Sequence, residues 1–161
     1  MAPLMPTVQV RDATIGDATA IAALVNQAFL VERFFVDGDR TNPAEIARLL
    51  ETGTFLLAEA DGRLVACVYV ELRGARGYFG MLSVDPSRQG EGLGRRLVDA
   101  AEARCRSRGC RLMEIHVVDV REELPPFYRR LGYVESGDEP FPDTERAKIP
   151  ARFIVMTKPL G

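Results

Sequence analysis

The chain of 161 residues has no tryptophan, one histidine and three cysteines. The cysteines, Cys67, Cys105 and Cys110, are too few for a disulfide framework, and their spacing matches no zinc-binding pattern. We therefore expect no metal site and a reducing compartment. No run of about 18 apolar residues suggests a membrane span, and residues 1–7 lack the features of a signal peptide. These absences predict a cytoplasmic protein.

The chain also has no large excess of positive or negative charge. The formal net charge is −2, with 27% charged and 47% hydrophobic residues, which is an ordinary balance for a globular protein. A weakly acidic chain of this kind argues against a nucleic-acid partner. The length predicts a single domain over residues 1–161.

A glycine-rich segment near the middle of the chain carries the clearest chemical signal. A strand-like run over 77–84 ends at Asp85-Pro86, and three alternate glycines between 90 and 94 then open an amphipathic helical pattern. A strand, a glycine-rich loop and a helix N-terminus together favour anions, because free backbone N–H groups and the helix dipole attract negative charge. The spacing fits neither the P-loop nor the dinucleotide fingerprint. It predicts a phosphate-binding site of another type.

The remaining patterns predict a mixed order of strands and helices. Strands are expected at 8–10, 54–60, 64–72, 77–84, 112–118, 133–136 and 153–158, and helices over 21–29, 43–52, 93–108 and 124–131. Asp61-Gly62 predicts a hairpin, and the helix after the glycine-rich segment predicts a parallel crossover. The proline-rich connection over 137–150 is long enough to suggest a functional role.

Two motifs in this order resemble the GNAT N-acetyltransferase superfamily. Gln89-Gly90-Glu91-Gly92-Leu93-Gly94 resembles the family's pyrophosphate loop, Q/R-x-x-G-x-G/A, and the run over 127–133 resembles its F-Y-x-x-x-G-F/Y signature. The order of elements is similar as well. The resemblance implies the GNAT α/β fold, with a mixed, mostly antiparallel central sheet that is flanked by helices and splayed between its fourth and fifth strands.

The same resemblance implies a donor, a reaction and a set of site residues. The donor is acetyl-CoA, and its acetyl group passes to a primary amine by direct attack in a ternary complex. The backbones of Leu82 and Val84 would pair with the pantetheine arm, and the Leu82 N–H would polarise the acetyl carbonyl. Tyr128 takes the general-acid position, because a phenol is protonated at neutral pH. The residues implied to hold the pyrophosphate, or to add charge beside it, are Arg88, Gln89, Gly90, Glu91, Gly92, Leu93, Gly94 and Arg95.

The sequence leaves the general base open. The inner face of the strand before the glycine-rich segment is expected to carry Tyr78, Gly80 and Leu82, which include no carboxylate or imidazole. His116 is the one histidine, and imidazoles titrate near neutral pH. The family's asparagine after the next strand is replaced by the segment 119–121. The candidates for the base are a water molecule, Glu71, Tyr78, Glu114, His116 and Asp119.

The acceptor is also open, between a small-molecule amine and a peptide or protein amine. In the segment 29–39, acidic side chains would attract a cationic amine beside an apolar wall of Phe34 and Phe35. Arg73 and Arg76 would instead suit a carboxylate-bearing acceptor. Phe127 is expected only to pack. The acidic residues considered are Glu32, Asp37 and Asp39.

Two other functions are compatible with these residues. A non-catalytic acyl-CoA-binding or regulatory module would keep the fold and the loop, and the unidentified base motivates it. A nucleotide-binding protein is disfavoured, because no lysine follows the glycines and no acidic ribose partner is evident. The apolar last strand, 153–156, suits a homodimer or simple burial in the core.

Overall fold

The computed structural model describes residues 7–161. Within that range the chain forms β1 (Val8–Asp12), α1 (Ala18–Ala28), α2 (Pro43–Thr52), β2 (Thr54–Ala60), β3 (Arg63–Arg73), β4 (Arg76–Val84), α3 (Leu93–Ser107), β5 (Leu112–Val118), α4 (Leu124–Arg130), β6 (Val134–Pro140) and β7 (Arg152–Pro159). A short 3-10 helix, Phe29–Phe34, follows α1. The expectation about a signal peptide concerns a segment whose residues 1–6 lie outside the described range.

One mixed sheet organises the described residues, with strand order β1-β2-β3-β4-β5-β7-β6. Neighbouring strands are antiparallel except β4 and β5, which are parallel and joined through α3. The parallel pair follows from the helical crossover between these strands. The mixed, mostly antiparallel fold predicted from the sequence is therefore confirmed.

The sheet opens between β4 and β5. The two strands pair only over residues 76–78 and 112–114, at the start of each strand. Further along β4, its register with β3 shifts opposite residues 67–69, and Met81 has a φ of 52°. A bulge of this kind bends its strand and increases the local twist. The splay expected between the fourth and fifth strands is therefore present, and the bulge in β4 accounts for it.

Helices cover both faces of the sheet. On one face, α3 buries Leu97 against Met113 and Met156 of the sheet, and on the other α1 buries Ile21 and Val25. A separate signal fixes the start of α2: Asn42 Oδ1 accepts a hydrogen bond from the Glu45 backbone N–H at 2.9 Å, and proline occupies the first helical position. One apolar layer therefore covers each face of the sheet.

The last hairpin differs from the prediction. The sixth strand was expected to end at residue 136, but β6 continues to Pro140, and residues 137–140 pair with 152–155 of β7. Its Ser-Gly-Asp-Glu composition is typical of a loop. As an edge strand with every residue exposed, β6 tolerates polar residues because pairing with β7 supplies its backbone hydrogen bonds.

One described stretch, Ile15–Phe34, is long and apolar enough to cross a membrane by length and composition alone. Its central helix, α1, buries Ile21 and Val25 completely in the core beside the sheet. Core helices of folded domains pass the same test, so the stretch is weak evidence for a span.

Candidate active site

A cavity of about 840 Å³ lies where β4 and β5 diverge. The glycine-rich segment borders it, as do the 3-10 helix Phe29–Phe34 and the connection between β6 and β7. Glu91 is the exception among the predicted donor-binding residues, since it lies outside the lining with its carboxylate 3.8 Å from Arg88. The predicted residues that line the cavity are Leu82, Val84, Arg88, Gln89, Gly90, Gly92, Leu93, Gly94, Arg95 and Tyr128.

Backbone groups dominate the wall made by the glycine-rich segment. Gly90 and Gly92 have φ values of 88° and 79°, in the left-handed region that favours glycine. No heavy atom lies within 4 Å of where a Cβ would stand at either residue. Gly92 is the N-cap of α3, whose first N–H groups have no partner within the helix. An anion can therefore approach the backbone closely here, with Arg88 and Arg95 beside it.

The bulge in β4 changes which side chains share a face. Tyr78 and Met81 pack with the cluster beneath α1 and α2, whereas Leu82 and Val84 pack with the cluster beneath α3. The expectation that Leu82 shares the face of Tyr78 was therefore wrong. The extra residue at Met81 shifts the two-residue alternation by one position. Beyond residue 78, β4 is not paired with β5, so its backbone borders the open cavity.

Tyr128 lies on α4, which begins at Leu124 with prolines tolerated in its first turn. Its side chain is buried among the rings of Phe79, Phe127 and Tyr133, with centroids 5.0 to 6.0 Å away, and it also lines the cavity. Burial raises the pKa of Tyr128, so the phenol keeps its proton at neutral pH. Phe127, expected only to pack, lines the cavity too.

Three of the candidate bases lie outside the cavity lining. Glu71 accepts hydrogen bonds from Arg73 at 2.9 Å and Tyr69 at 2.7 Å, and the Arg73 bond lowers its pKa. Asp119 accepts a hydrogen bond from the Arg152 backbone N–H at 3.0 Å. At Glu114, burial opposes ionisation, but bonds from His116 and Arg76 outweigh it and lower the pKa. All three carboxylates therefore already accept hydrogen bonds from other groups of this chain.

His116 and Tyr78 are the candidate bases that do line the cavity. Burial raises the pKa of Tyr78, which makes it a poor base at neutral pH. His116 Nε2 donates to Glu114 Oε2 at 2.9 Å, so in the neutral ring Nδ1 is left to accept a proton. The imidazole packs against Tyr78 and Phe153, with ring centroids 5.4 and 5.7 Å away. The ring is thereby oriented within the cavity.

The acceptor wall contains only part of what the sequence suggested. Glu32, Asp37 and Asp39 line the cavity as expected. The expected apolar wall was wrong, because Phe35 is fully buried in the protein and Phe34, which is 53% exposed, lies outside the lining. The two arginines proposed for a carboxylate also lie elsewhere, paired with glutamates. Those arginines are Arg73 and Arg76.

The aromatic wall comes instead from residues that the sequence analysis did not select. Phe29, Phe141 and Phe153 line the cavity, and the rings of Phe141 and Phe153 meet edge to face at 5.4 Å. The β6–β7 connection is held in place by backbone bonds, from Asp37 N–H to the Arg146 carbonyl at 2.9 Å and from Lys148 N–H to the carbonyl of residue 35 at 2.6 Å. The length of that connection was the available signal for its role.

Comparison with known proteins places this cavity in context. Residues 21–133 match the model of the acetyltransferase (GNAT) family. The ribosomal-protein-S18-alanine N-acetyltransferase from Escherichia coli superposes with a TM-score of 0.79 at 17% identity, covering 96% of this chain and 95% of that one. Nourseothricin acetyltransferase gives 0.76 at 22% identity, covering 96% and 99%. Ard1 from Thermoplasma volcanium gives 0.77 at 16%, covering 94% and 97%. At these identities the structural matches show a shared fold.

Proposed function

Because the chain belongs to the acetyltransferase (GNAT) family, we propose that it is an N-acetyltransferase that moves the acetyl group of acetyl-CoA to a primary amine. The observation that carries the proposal is a single cavity in which the glycine-rich cradle, the open edge of β4 and the Tyr128 phenol meet. Acetyl-CoA, when bound, supplies the activated acetyl thioester. The residues around the cavity bind it, orient it and handle the protons.

The donor end fits a pyrophosphate. Space beside Gly90 and Gly92 lets charged oxygens reach backbone N–H groups at the start of α3. Arg88 and Arg95 supply positive charge at the same wall. The unpaired backbone of β4 at Leu82 is available to hydrogen-bond an extended arm, in the way that a sheet edge accepts an added strand.

Two groups act on the acetyl thioester, one on its carbonyl oxygen and one on the leaving sulfur. The Leu82 N–H polarises the carbonyl oxygen, which gains negative charge as the amine attacks. Tyr128 donates its proton to the sulfur as the C–S bond breaks. Burial raises the pKa of this phenol, which keeps it fully protonated before the step but also makes it a weaker acid toward the leaving sulfur.

His116 is the base in this proposal. Its side chain lines the cavity with Nε2 held by Glu114, and Nδ1 lies 3.7 Å from Oε2 of Glu139. The ring can take a proton from the ammonium group of the acceptor, directly or through a water, before the amine attacks. The non-catalytic alternative was motivated by the lack of a base near the splay. An oriented imidazole in the cavity supplies a candidate for that base and so supports the catalytic function.

The acceptor is a primary amine, either small or on a peptide. Aromatic edges and acidic side chains line the same cavity, notably Phe141, Phe153, Asp37 and Asp39. The two carboxylates are exposed and also pair with Lys148 and Arg33. Acidic groups concentrate a cationic amine, and aromatic faces attract the same charge. Deprotonation within the cavity then produces the nucleophile.

The first experiment is thermal stabilisation of the purified protein by acetyl-CoA, with ATP and NAD as controls. A ligand at about 100 times its Kd adds about 2.7 kcal/mol, which raises the Tm by several degrees. A shift with acetyl-CoA alone supports the assignment of the glycine-rich segment and justifies screening amines by release of the CoA thiol. The absence of a shift with CoA compounds would overturn the proposal.

The Tyr128→Phe variant separates an enzyme from a non-catalytic binder. An enzyme should lose about 100-fold in kcat, because general acid catalysis is worth roughly that much. Its thermal shift with acetyl-CoA should be retained, since the phenyl ring preserves packing. Thiol release that is unchanged from that of an active unsubstituted protein would indicate another acid, and no thiol release by either protein despite a thermal shift would favour the binding module.

A further inference from the structure

Tyr78 stands at the point where the sheet opens. It pairs with Glu114 in the last register pair between β4 and β5, and the next residues of β4 run unpaired with β5 along the cavity. His116 lies two residues further along β5, and its ring meets the Tyr78 ring edge to face, with centroids 5.4 Å apart. The tyrosine is therefore in direct contact with the base of the proposed function.

A cation from the neighbouring strand holds the ring of Tyr78 in this place. The guanidinium carbon of Arg73, on β3, lies over the ring at 4.2 Å from its centroid, which is a close cation–π contact. Arg73 is itself held by Glu71, because its Nε donates a hydrogen bond to Oε1 of Glu71 at 2.9 Å. With the guanidinium over one face and the imidazole also in contact, the direction of the phenol is fixed.

The hydroxyl of Tyr78 lies over the open part of β4. A Cβ added at Gly80 would stand 2.6 Å from the hydroxyl oxygen, so the glycine leaves room for it. Leu82, whose N–H acts on the acetyl carbonyl in the proposed function, follows two residues later on the same strand. One end of the side chain is thus beside the open backbone that leads to Leu82, while its ring contacts His116.

This hydroxyl is available to a ligand. The hydroxyls of Tyr69 and Tyr133 donate to Glu71 and Glu102 at 2.7 and 2.8 Å, whereas that of Tyr78 has no hydrogen-bond partner within residues 7–161 and lines the cavity. Burial raises the pKa of Tyr78, so the phenol stays neutral at neutral pH and can both donate and accept a hydrogen bond. Polar groups in half-buried sites are normally satisfied, and here a bound molecule can do so.

We propose that the Tyr78 hydroxyl binds the acceptor amine and directs its nitrogen at the acetyl carbon, an inference that rests on the proposed function. Once His116 has taken a proton from the ammonium group, a primary amine keeps two N–H bonds and a lone pair. One N–H donates to the Tyr78 oxygen, which leaves the lone pair free for the attack. As the C–N bond forms and the C–S bond breaks, sulfur takes the electron pair and the Tyr128 proton, and the nitrogen releases its surplus proton to water. Tyr78 itself neither gains nor loses a proton.

The test removes this hydroxyl alone. Tyr78→Phe keeps the aromatic ring and its contacts, so the fold should be retained, which a melting curve checks. Thiol release is followed with the fastest of three primary amines: 2-phenylethylamine, a peptide that begins with alanine, and an N-terminally blocked peptide with one lysine. The kcat/KM for that amine should fall about tenfold, the upper range for one lost hydrogen bond. The KM for acetyl-CoA, the thermal shift with acetyl-CoA and the pH–rate profile should not change.

Tyr69→Phe is the matched control. It removes a tyrosine hydroxyl that bonds Thr52 and Glu71 outside the cavity lining, so it should lower the Tm and leave the kcat/KM for the amine within about twofold. An equal loss in both variants would overturn the inference, because the effect would then be structural.

Other results would overturn the inference in different ways. An unchanged kcat/KM in Tyr78→Phe would show that the hydroxyl does not bind the amine. A loss of about 100-fold or more with an altered pH–rate profile would make Tyr78 the base, and a raised KM for acetyl-CoA would place the hydroxyl on the donor. No thiol release by the unsubstituted protein with any of the three amines would instead overturn the proposed function, and the inference with it.

Discussion

The two ends of the cavity are built in different ways. The proposed pyrophosphate site at the donor end comes from one continuous segment, 88–95, in which glycines leave backbone N–H groups open to a ligand. The acceptor end collects side chains from the 3-10 helix, β4, β5 and the β6–β7 connection. Backbone chemistry is the same in every sequence with that local geometry, whereas side-chain chemistry depends on the tertiary fold. In the proposed function the donor end is therefore generic, and the acceptor end is particular to this protein.

The strongest way to separate the ends is to remove the proposed base. His116→Ala should lower kcat about 100-fold, because general base catalysis contributes at least that much. The thermal shift with acetyl-CoA should remain, since the donor end is untouched. Steady-state kinetics with the best amine, together with melting curves, measure both quantities. A normal kcat would exclude His116 as the base, and a lost thermal shift would contradict the independence of the two ends.

The complementary test weakens binding of acetyl-CoA at the donor end of the cavity. Arg88→Gln and Arg95→Gln should each raise the KM for acetyl-CoA about tenfold, the usual scale for a charge-assisted bond to phosphate. The kcat should be unchanged, and the effect should shrink at high salt. Arg108→Gln, at the far end of α3, is a control that removes the same single positive charge from the protein. If Arg108→Gln raises the KM equally, the effect is general electrostatics and not a local contact.

A smaller effect tests whether backbone shape matters at the donor end. Gly92→Ala places a side chain at a φ of 79°, which costs about 1 kcal/mol of stability and lowers the Tm by roughly 2–4 °C. Gly74→Ala is a matched control, with a φ of 65° and equally open space. Both variants should lose similar stability, but only Gly92→Ala should also bind acetyl-CoA more weakly. Equal affinities would show that the left-handed turn serves folding alone.

The smallest expected effect is on stability, and it comes from an ion pair that lies outside both ends of the cavity. Arg11 holds the pKa of Asp17 down to about 2, chiefly through its hydrogen bonds. A depressed carboxyl pKa adds stability that is complete above the unfolded value of about 3.9 and is lost as pH falls toward 2. For an exposed pair the loss should be less than about 1 kcal/mol. Tm values from pH 5 to 2 should fall less for Asp17→Asn than for the natural chain, and parallel curves would contradict this.

The difference between the ends also explains what the sequence could predict. The glycine spacing and the position of Tyr128 were readable, because local signals determine both. The aromatic part of the acceptor wall was not, since Phe141 and Phe153 lie on either side of the β6–β7 connection and line the cavity once those strands pair. The bulge left no local mark either: Met81 is an ordinary residue type with an unusual φ. Most strand and helix positions followed from periodicity, whereas the extension of β6 depended on its partner strand.

The partial pairing of β4 has a further consequence for how the protein avoids self-association. An open strand edge invites pairing with other chains, which is a common start of aggregation. At the outer edge, β6 ends in Asp138, Glu139 and Pro140, residues that discourage such pairing. The inner edge of β4 has no such protection in its sequence, but it borders a cavity of about 840 Å³ instead of open solvent. Because the cavity encloses this edge, its backbone groups can hydrogen-bond a slender extended molecule but are poorly accessible to another protein.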